Sequence, residues 1–368
     1  MRIFLTGLLL SLVISCRTNT DTSLEGEEGS TTLPPTNPLP NEPLPNIVPA
    51  PPVETIPGEW KSDIIPDVNL RVYVPKTAPR FGKGRALMVN LHGCAQKNID
   101  LQVYGNWTGV ADYYGMVVAL PQVPGTSVFM PYGKWENRFT GCWGYYGKDH
   151  KVDSGHTGHV LSIIENLLAN PDLNIDPAQI YVVGFSSGGA LAVTLGCLRP
   201  DLIAGIGSNS GPAVGSTEAD LVIVNSFDPP PFKSSAEIKN TCLTLANGQP
   251  GFETQIASFI HDDADMFVNA KHTKLNTAGL AEVYGVSQTE NFELAAAQGV
   301  NSLGKGTIYR DAVGPRISHI ANAGMNHAWA AGTLNSNMQW ISMASVNYPG
   351  YVTDFFFHNN RRMWKAAE

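Results

Sequence analysis

The chain has 368 residues, of which 43% are hydrophobic and 15% are charged, and its formal net charge is −8. Apolar residues in this proportion are typical of a globular protein that buries a sizeable core. The acidic balance argues against a nucleic-acid partner, because binding phosphates requires clustered Lys and Arg.

Residues 1–16 have the pattern of an export signal rather than of a folded segment. Arg2 supplies a positive charge, and the apolar run over residues 3–14 is too short to span a bilayer stably. The run from Leu12 to Cys16 resembles a bacterial lipobox, in which the signal is cut before a cysteine that is then lipidated. An ordinary secretory signal cut nearby is the alternative. We expect an exported protein, either an outer-membrane lipoprotein anchored through Cys16 or an extracellular protein.

Residues 17–57 are predicted to form a disordered tether. Thr, Ser, Glu and Gly come first, and ten prolines follow between Pro34 and Pro57. Such a segment cannot form a core and is expected to be extended.

From residue 58 to residue 368 we predict one catalytic domain of the α/β class. Short apolar runs predict strands over residues 70–74, 86–91, 116–120, 180–183, 202–208, 255–260 and 319–324. Helical spacing predicts helices over residues 107–114, 160–168, 190–198, 292–298 and 353–364. Strands that alternate with helices favour a mostly parallel sheet with helices on both faces. Residues 212–240 lack a clear period and are interpreted as an excursion over the sheet, with a lid as one interpretation.

The stretch from Val182 to Ala190 contains the pattern G-x-S-x-G, with Ser186 at its centre. An apolar run precedes it and a run of small residues follows it, which together indicate a nucleophile elbow between a strand and a helix. The helix that begins at the serine would direct its first N–H groups at a developing oxyanion. A glycine-rich turn without a catalytic role is the alternative.

A nucleophilic serine needs a base, and the base needs an orienting acid. In α/β hydrolases the acid follows the serine in the chain and the histidine comes last. The loop over residues 261–268 follows a predicted strand, and Asp265 is our candidate acid. Asp263 is the main alternative, and Asp228 and Asp311 are weaker ones.

His327 is the candidate base, because it follows Ser186 and Asp265 and lies in a turn-prone segment with Gly324 and Asn326. His319, in a predicted strand, and His358, in a predicted helix, are the alternatives.

An oxyanion hole would need two N–H donors. The first is expected from Ser187, the residue after the nucleophile. The second is expected after the strand that ends at Leu91, where Cys94 is the first choice and Gly93 the second. We expect His92 to position this loop rather than to transfer protons.

Aromatic residues near these motifs are candidates for a substrate-binding surface, although core packing is expected for at least half of them. These candidates are Trp107, Trp143, Tyr145, Tyr146 and Trp329.

Export would make disulfides permissible. If Cys16 carries lipid, four cysteines remain, and three connectivities are open. We favour the sequential pairing, Cys94 with Cys142 and Cys197 with Cys242. No cysteine pair has C-x-x-C spacing, which argues against a zinc site.

These motifs, in this order, resemble the poly(3-hydroxybutyrate) depolymerase esterase family, which is related to feruloyl and acetylxylan esterases. The matching stretches are His92 to Gln96, Cys142-Trp143, Gly184 to Ala190, His261 to Val268 and Gly324 to Trp329. The resemblance implies an α/β-hydrolase fold and a secreted serine esterase. It implies Ser186 as nucleophile, Asp265 as acid, His327 as base and His92 as the oxyanion histidine, and it supports a bridge between Cys94 and Cys142.

The predicted function is therefore hydrolysis of carboxylic esters, with a short-chain polyhydroxyalkanoate as the preferred substrate. A feruloyl or acetylxylan esterase, a general esterase or lipase, and a catalytically silent, surface-anchored binding protein are the alternatives. We expect no cofactor, no metal and no obligate protein partner.

Overall fold

The computed structural model describes residues 55–124, 141–217, 233–294, 299–334 and 337–364. All of them belong to one compact unit, residues 44–368. The predicted signal with Cys16, nearly all of the predicted tether and the alternative acid Asp228 lie outside the described residues. Among the helices that are described, none combines the length and the apolar character needed to cross a membrane.

The described strands form two sheets. The larger sheet contains β1 (Glu59–Lys61), β2 (Leu70–Val74), β3 (Arg85–Leu91), β4 (Val117–Pro121), β5 (Ile175–Phe185), β6 (Gly205–Asn209), β7 (Ile256–His261), β8 (Gln288–Glu293), β9 (Gly304–Arg310) and β10 (Pro315–Asn322). The smaller sheet contains β11 (Trp329–Ala330), β12 (Asn337–Met338) and β13 (Ile341–Ser342).

The described helices are α1 (Asn98–Tyr104), α2 (Thr108–Tyr114), α3 (Gly155–Ala169), α4 (Ser187–Leu198), α5 (Ser235–Ala246), α6 (Lys271–Tyr284), α7 (Tyr348–Asn359) and α8 (Arg361–Trp364).

The larger sheet has the order β1-β2-β4-β3-β5-β6-β7-β10-β9-β8. Its middle strands, from β4 to β10 in this order, are all parallel to one another, and the pairs towards the two edges are antiparallel. This confirms the predicted α/β class. Strand β5 lies among the parallel strands, so the turn that follows it is at the edge where their carboxyl ends meet.

Both faces of the sheet are covered. Val182 packs into a core shared with α3, α4, α5 and α6, whereas its neighbours Tyr181 and Val183 pack into a core shared with α1, α2 and α7. Successive side chains of a strand point to opposite faces. A strand that is buried on both faces is apolar throughout, which explains why the central strands were recognisable as continuous apolar runs.

The predicted helix over residues 292–298 is wrong for its first two residues, and residues 295–298 lie outside the described ranges. Phe292 and Glu293 instead end strand β8, which pairs with β9. Phe292 lies opposite Gly306, and a Cβ on that glycine would stand 2.0 Å from the phenylalanine ring. The ring therefore packs across the missing side chain, and this pairing outweighs the local helical spacing.

A pH prediction follows from the buried histidine of β10. Burial lowers the pKa of His319 to about 3, whereas an unfolded histidine titrates near pH 6.5. Between these values the unfolded chain binds a proton that the folded chain does not, so the free energy of unfolding falls as the pH drops. The slope is at most about 1.4 kcal/mol per pH unit.

Urea denaturation at several pH values should therefore show a shallower decline for His319→Asn than for the wild type between pH 6 and about pH 4. His358→Gln is the control, because an interaction with Asp354 raises the pKa of that half-exposed histidine. Its removal should leave the decline equal or slightly steeper. An unchanged slope in His319→Asn would contradict the prediction.

Candidate active site

Ser186 occupies a strained turn between β5 and α4. Its backbone angles are φ 53° and ψ −120°, a region that residues other than glycine rarely adopt. Two hydrogen bonds hold the turn: the Ser186 N–H donates to the Asn209 carbonyl at 2.9 Å, and the Ser186 carbonyl accepts from the Ala190 N–H at 3.0 Å. The strain is sustained by this surrounding structure, as is typical of functional sites.

The glycines of the motif permit two close approaches. A Cβ on Gly184 would stand 2.4 Å from the Gly188 backbone, and a Cβ on Gly188 would stand 2.3 Å from the Leu91 carbonyl oxygen. Because real Cβ atoms do not come so close to backbone atoms, larger residues would push α4 away from the ends of β3 and β5. The spacing of the motif is thus a steric requirement of this turn.

The structure brings together the three residues that the sequence analysis selected. His327 Nε2 lies 3.0 Å from Ser186 Oγ, and His327 Nδ1 lies 2.7 Å from Asp265 Oδ2. The side chain of Asp265 has no exposed surface, and that of His327 is 7% exposed. The second oxygen of Asp265 accepts from the N–H groups of Phe267 at 2.8 Å and Val268 at 2.9 Å. The three side chains therefore form one hydrogen-bonded line in a nearly dry environment.

The alternative acids make other contacts. Asp263 lies 3.1 Å from His261 Nε2 and 2.7 Å from Lys274 Nζ. Asp311 forms ion pairs with Arg316 and Arg361. Neither of these carboxylates contacts His327.

The alternative bases are also engaged elsewhere. His319 Nδ1 lies 2.6 Å from Thr277 Oγ1, and His358 lies on α7 beside Asp354. Of the three histidines considered, only His327 is hydrogen-bonded to Ser186.

Asn209 is a positioning residue that the sequence analysis missed. Its backbone carbonyl accepts from Ser186, while its buried side-chain amide donates to the Ala328 carbonyl at 3.0 Å and accepts from the Ala330 N–H at 2.9 Å. One residue at the end of β6 therefore ties the serine turn to the loop that carries His327. No local motif marks this position in the sequence.

The loop after β3 is closed by Gln96. The Gly93 N–H donates to Gln96 Oε1 at 2.7 Å, and the Gln96 N–H donates to the Gly93 carbonyl at 3.3 Å. The Gly93 N–H therefore already donates a hydrogen bond within the loop. The prediction of Gly93 as the second-choice oxyanion donor is wrong for this reason. Among the described residues, no acceptor lies at the Cys94 amide or the Ser187 amide, so both N–H groups remain candidate oxyanion donors.

His92 is buried below this loop as a neutral imidazole. Burial lowers the pKa of His92 to about 4. Its Nδ1 donates to the Gly93 carbonyl at 2.7 Å, and its Nε2 accepts from the Val123 N–H at 3.2 Å and from the Gln122 amide at 2.9 Å. Because the C=O and N–H of a trans peptide point in opposite directions, fixing the Gly93 carbonyl also fixes the direction of the Cys94 N–H. This geometry is that of a positioning histidine.

Two disulfides join the described cysteines. Cys94 is bonded to Cys142, and Cys197 to Cys242, which is the sequential pairing. The first bridge attaches the loop after β3 to the segment that carries Trp143. The Trp143 N–H in turn donates to Ser187 Oγ at 3.3 Å. The segment at residues 142–143 therefore braces both proposed oxyanion donors.

Most of the aromatic residues proposed for a substrate surface are instead part of the core. Trp107, Trp143, Tyr145 and Trp329 are all at most 3% exposed, so the prediction of a surface role is wrong for them. Trp329 packs against Trp107 and donates from Nε1 to the Gly105 carbonyl at 3.1 Å, which anchors the chain just after His327. Tyr146 alone is only partly buried.

Other aromatic residues surround His327. The ring centroids of Phe185, Phe267 and Trp340 lie 4.8, 5.3 and 6.1 Å from that of His327. Phe267 is 45% exposed, and its neighbour Met266 is 62% exposed. Phe267 and Trp340 are also in edge-to-face contact at 5.1 Å. We call Met266, Phe267 and Trp340 the apolar rim. Sequence reasoning missed it because the rim depends on a contact between Phe267 and Trp340, which are far apart in the chain.

No cluster of metal-ligating side chains occurs in the part of the chain that the structure describes. The arrangement at Ser186 consists of a hydroxyl, an imidazole and a carboxylate, with two candidate N–H donors among the described residues. These groups suffice for acyl transfer to a serine.

Comparison with known proteins agrees with the fold and the motifs. Residues 69–243 match the family model described as Esterase PHB depolymerase. A poly(3-hydroxybutyrate) depolymerase from Ralstonia pickettii is 33% identical in an alignment of 314 residues that covers 82% of this chain and 60% of the length of that relative. The structure of an acetyl xylan esterase from Aspergillus awamori superimposes with a TM-score of 0.53 at 16% identity, over 73% of this chain and 93% of that one, and it shares the α/β-hydrolase fold. Residues 69–243 of this chain are thus similar to the Esterase PHB depolymerase family.

Proposed function

We propose that this protein is an exported serine esterase that hydrolyses carboxylic esters, with a short-chain polyhydroxyalkanoate as its substrate. The observation that carries the proposal is the hydrogen-bonded line from Ser186 through His327 to Asp265 at the carboxyl end of β5. The match of residues 69–243 to the family model and the similarity to a relative named as a poly(3-hydroxybutyrate) depolymerase support the choice of reaction and substrate.

In the proposed mechanism, Ser186 Oγ attacks the ester carbonyl while His327 Nε2 takes its proton. Asp265 accepts the Nδ1 hydrogen of His327, which leaves the Nε2 lone pair facing the serine and stabilises the imidazolium that forms. The N–H groups of Ser187 and Cys94 donate to the oxyanion of the tetrahedral intermediate. His327 then protonates the leaving alcohol, and the acyl group stays on Ser186. Water, deprotonated by His327, attacks the acyl-serine, and His327 returns this proton to Ser186 Oγ as the carboxylic acid leaves.

The apolar rim favours an apolar alcohol. The group that protonates the leaving alcohol is His327, so side chains beside His327 contact the alcohol part of the ester. Phe267 and Trp340 present aromatic surface there, and Met266 extends it outward. In a polyhydroxyalkanoate the alcohol part is the next hydroxyacyl unit, which carries an alkyl branch. An acetylxylan or feruloyl esterase would instead meet a sugar hydroxyl at this place, which an apolar rim satisfies poorly.

The proposal includes export and a lipid anchor at Cys16, on the strength of the signal-like residues 1–16. The anchor would hold the domain at a membrane through residues 17–57. Incorporation of labelled palmitate into the wild type, and its loss in Cys16→Ala, would support it. A protein released without lipid would leave the extracellular alternative.

Ser186→Ala should abolish both labelling by a fluorophosphonate probe and hydrolysis of p-nitrophenyl butyrate. The expected loss of kcat is roughly 10⁵–10⁶-fold, because the covalent step is removed. Ser162→Ala is the matched control, since Ser162 is an exposed serine on α3 and its variant should label like the wild type. Persistent labelling of Ser186→Ala would contradict the assignment of the nucleophile. A folded wild-type protein that does not label would support the silent binding protein instead.

Phe267→Ala tests the alcohol side of the site, because it removes the ring but keeps the backbone N–H that donates to Asp265. The alcohol part of methyl butyrate is only methanol. The alcohol part at the internal ester of the methyl-capped dimer of 3-hydroxybutyrate is a larger, apolar unit. We expect kcat/KM to fall by about 10–100-fold on the dimer, the effect of losing one buried aromatic contact. On methyl butyrate it should change less than about three-fold.

The control for this experiment is Val313→Ala, which shortens a highly exposed apolar side chain in the turn between β9 and β10. It should behave like the wild type on both esters. Equal losses on both esters in Phe267→Ala would refute an alcohol-side role for the rim. Wild-type activity on acetylated xylan or methyl ferulate with none on the dimer would favour the plant-wall esterase.

A further inference from the structure

Asp262 is a buried carboxylate that the proposed mechanism does not use. It follows the last residue of β7 and is 2% exposed. No Lys or Arg pairs with it among the described residues. Burying a carboxylate without a cation is costly unless its oxygens accept hydrogen bonds. Its contacts therefore indicate what it is for.

The two oxygens of Asp262 bind two different loops. Oδ1 accepts from the Ala264 N–H at 2.9 Å, and Oδ2 accepts from the Asn326 N–H at 2.8 Å. The Asp262 carbonyl also accepts from the Asp265 N–H at 3.1 Å. One side of this residue thus holds the turn that carries the proposed acid, and the other side holds the residue directly before the proposed base.

We infer that Asp262 is a positioning residue that fastens the Asp265 loop to the His327 loop and thereby sets the geometry between these two side chains. The inference rests on the proposed function.

The backbone conformation of Asn326 explains why a hydrogen bond to its N–H group is needed there. Asn326 has φ 54°, in the left-handed region, so the peptide that enters His327 is strained. After His327, the same loop is held by Asn209, which is hydrogen-bonded to Ala328 and Ala330. Asp262 binds the same loop before His327, at the Asn326 N–H. Unlike Asn209, it also makes hydrogen bonds within the Asp265 loop. Releasing the Asn326 amide would let the imidazole move relative to both Ser186 and Asp265.

A carboxylate is suited to this task because both of its oxygens accept hydrogen bonds at once. Asparagine has the same size but only one acceptor oxygen, and its NH₂ group would face an N–H donor. Asp262→Asn should therefore lower kcat on p-nitrophenyl butyrate by about 10–100-fold, the effect of a displacement of roughly 1 Å. KM should stay within about two-fold, because no substrate contact is removed.

A double-mutant cycle with His327→Ala separates positioning from a general loss of structure. If Asp262 acts through His327, Asp262→Asn should cause no further loss of hydrolysis or of the rate of fluorophosphonate labelling when the imidazole is absent. Asp262→Glu keeps the charge and both oxygens but displaces them by one methylene, so its kcat should fall as well.

The matched control is Asp263→Asn, which removes a carboxylate from the next position of the same loop. Asp263 is 64% exposed and contacts Lys274 rather than the His327 loop, so this variant should keep wild-type kcat. A wild-type kcat in Asp262→Asn, or an equal loss with and without His327, would overturn the inference. If Asp262→Asn does not fold, the cycle is run with Asp262→Glu, and wild-type kcat in that variant would overturn it. An inactive wild type, in contrast, would overturn the proposed function itself.

Discussion

The close approach of α4 to the ends of β3 and β5 is the constraint on which the rest of the site depends. Only glycine at positions 184 and 188 allows that approach. The tight turn that results holds Ser186 in its strained conformation. The first N–H groups of α4 then lie beside the loop after β3, where His92 and Gln96 fix the direction of the Cys94 amide. The serine and both proposed oxyanion donors are therefore consequences of one packing contact.

The remaining parts of the site come from loops that are held by buried polar side chains. Asn209 binds the serine turn and the His327 loop, and Asp262 binds the Asp265 loop and the His327 loop. Loops that carry function are usually the more mobile parts of a fold. Here hydrogen bonds hold the backbone around the reactive groups, while the apolar rim combines side chains of the Asp265 loop with Trp340 from the turn between β12 and β13.

The fold class and the turn at Ser186 could be predicted from the sequence because each is tied to a strict local requirement, whereas the choice of Asp265 and His327 depends on their order after Ser186 in the chain. Strands buried on both faces must be apolar, and the turn around Ser186 needs small residues at fixed positions. Features set by tertiary contact could not be predicted in this way. Helix α6 was missed because its buried face is polar, with His272, Thr273, Asn276 and Thr277. The burial of Trp143 and Trp329, and the position of Trp340 beside His327, likewise depend on distant parts of the chain.

The bridge between Cys94 and Cys142 has a consequence for where the protein can reach its working state. It joins the loop that offers the Cys94 amide to the segment that contacts Ser187, so it lies within the proposed catalytic machinery rather than at the periphery of the fold. Cytosolic thiols keep such cysteines reduced, and oxidising compartments join them. In the reduced chain the oxyanion loop would lose its covalent attachment to the segment that contacts Ser187. An oxidising compartment would thus complete the proposed oxyanion loop by forming this bridge.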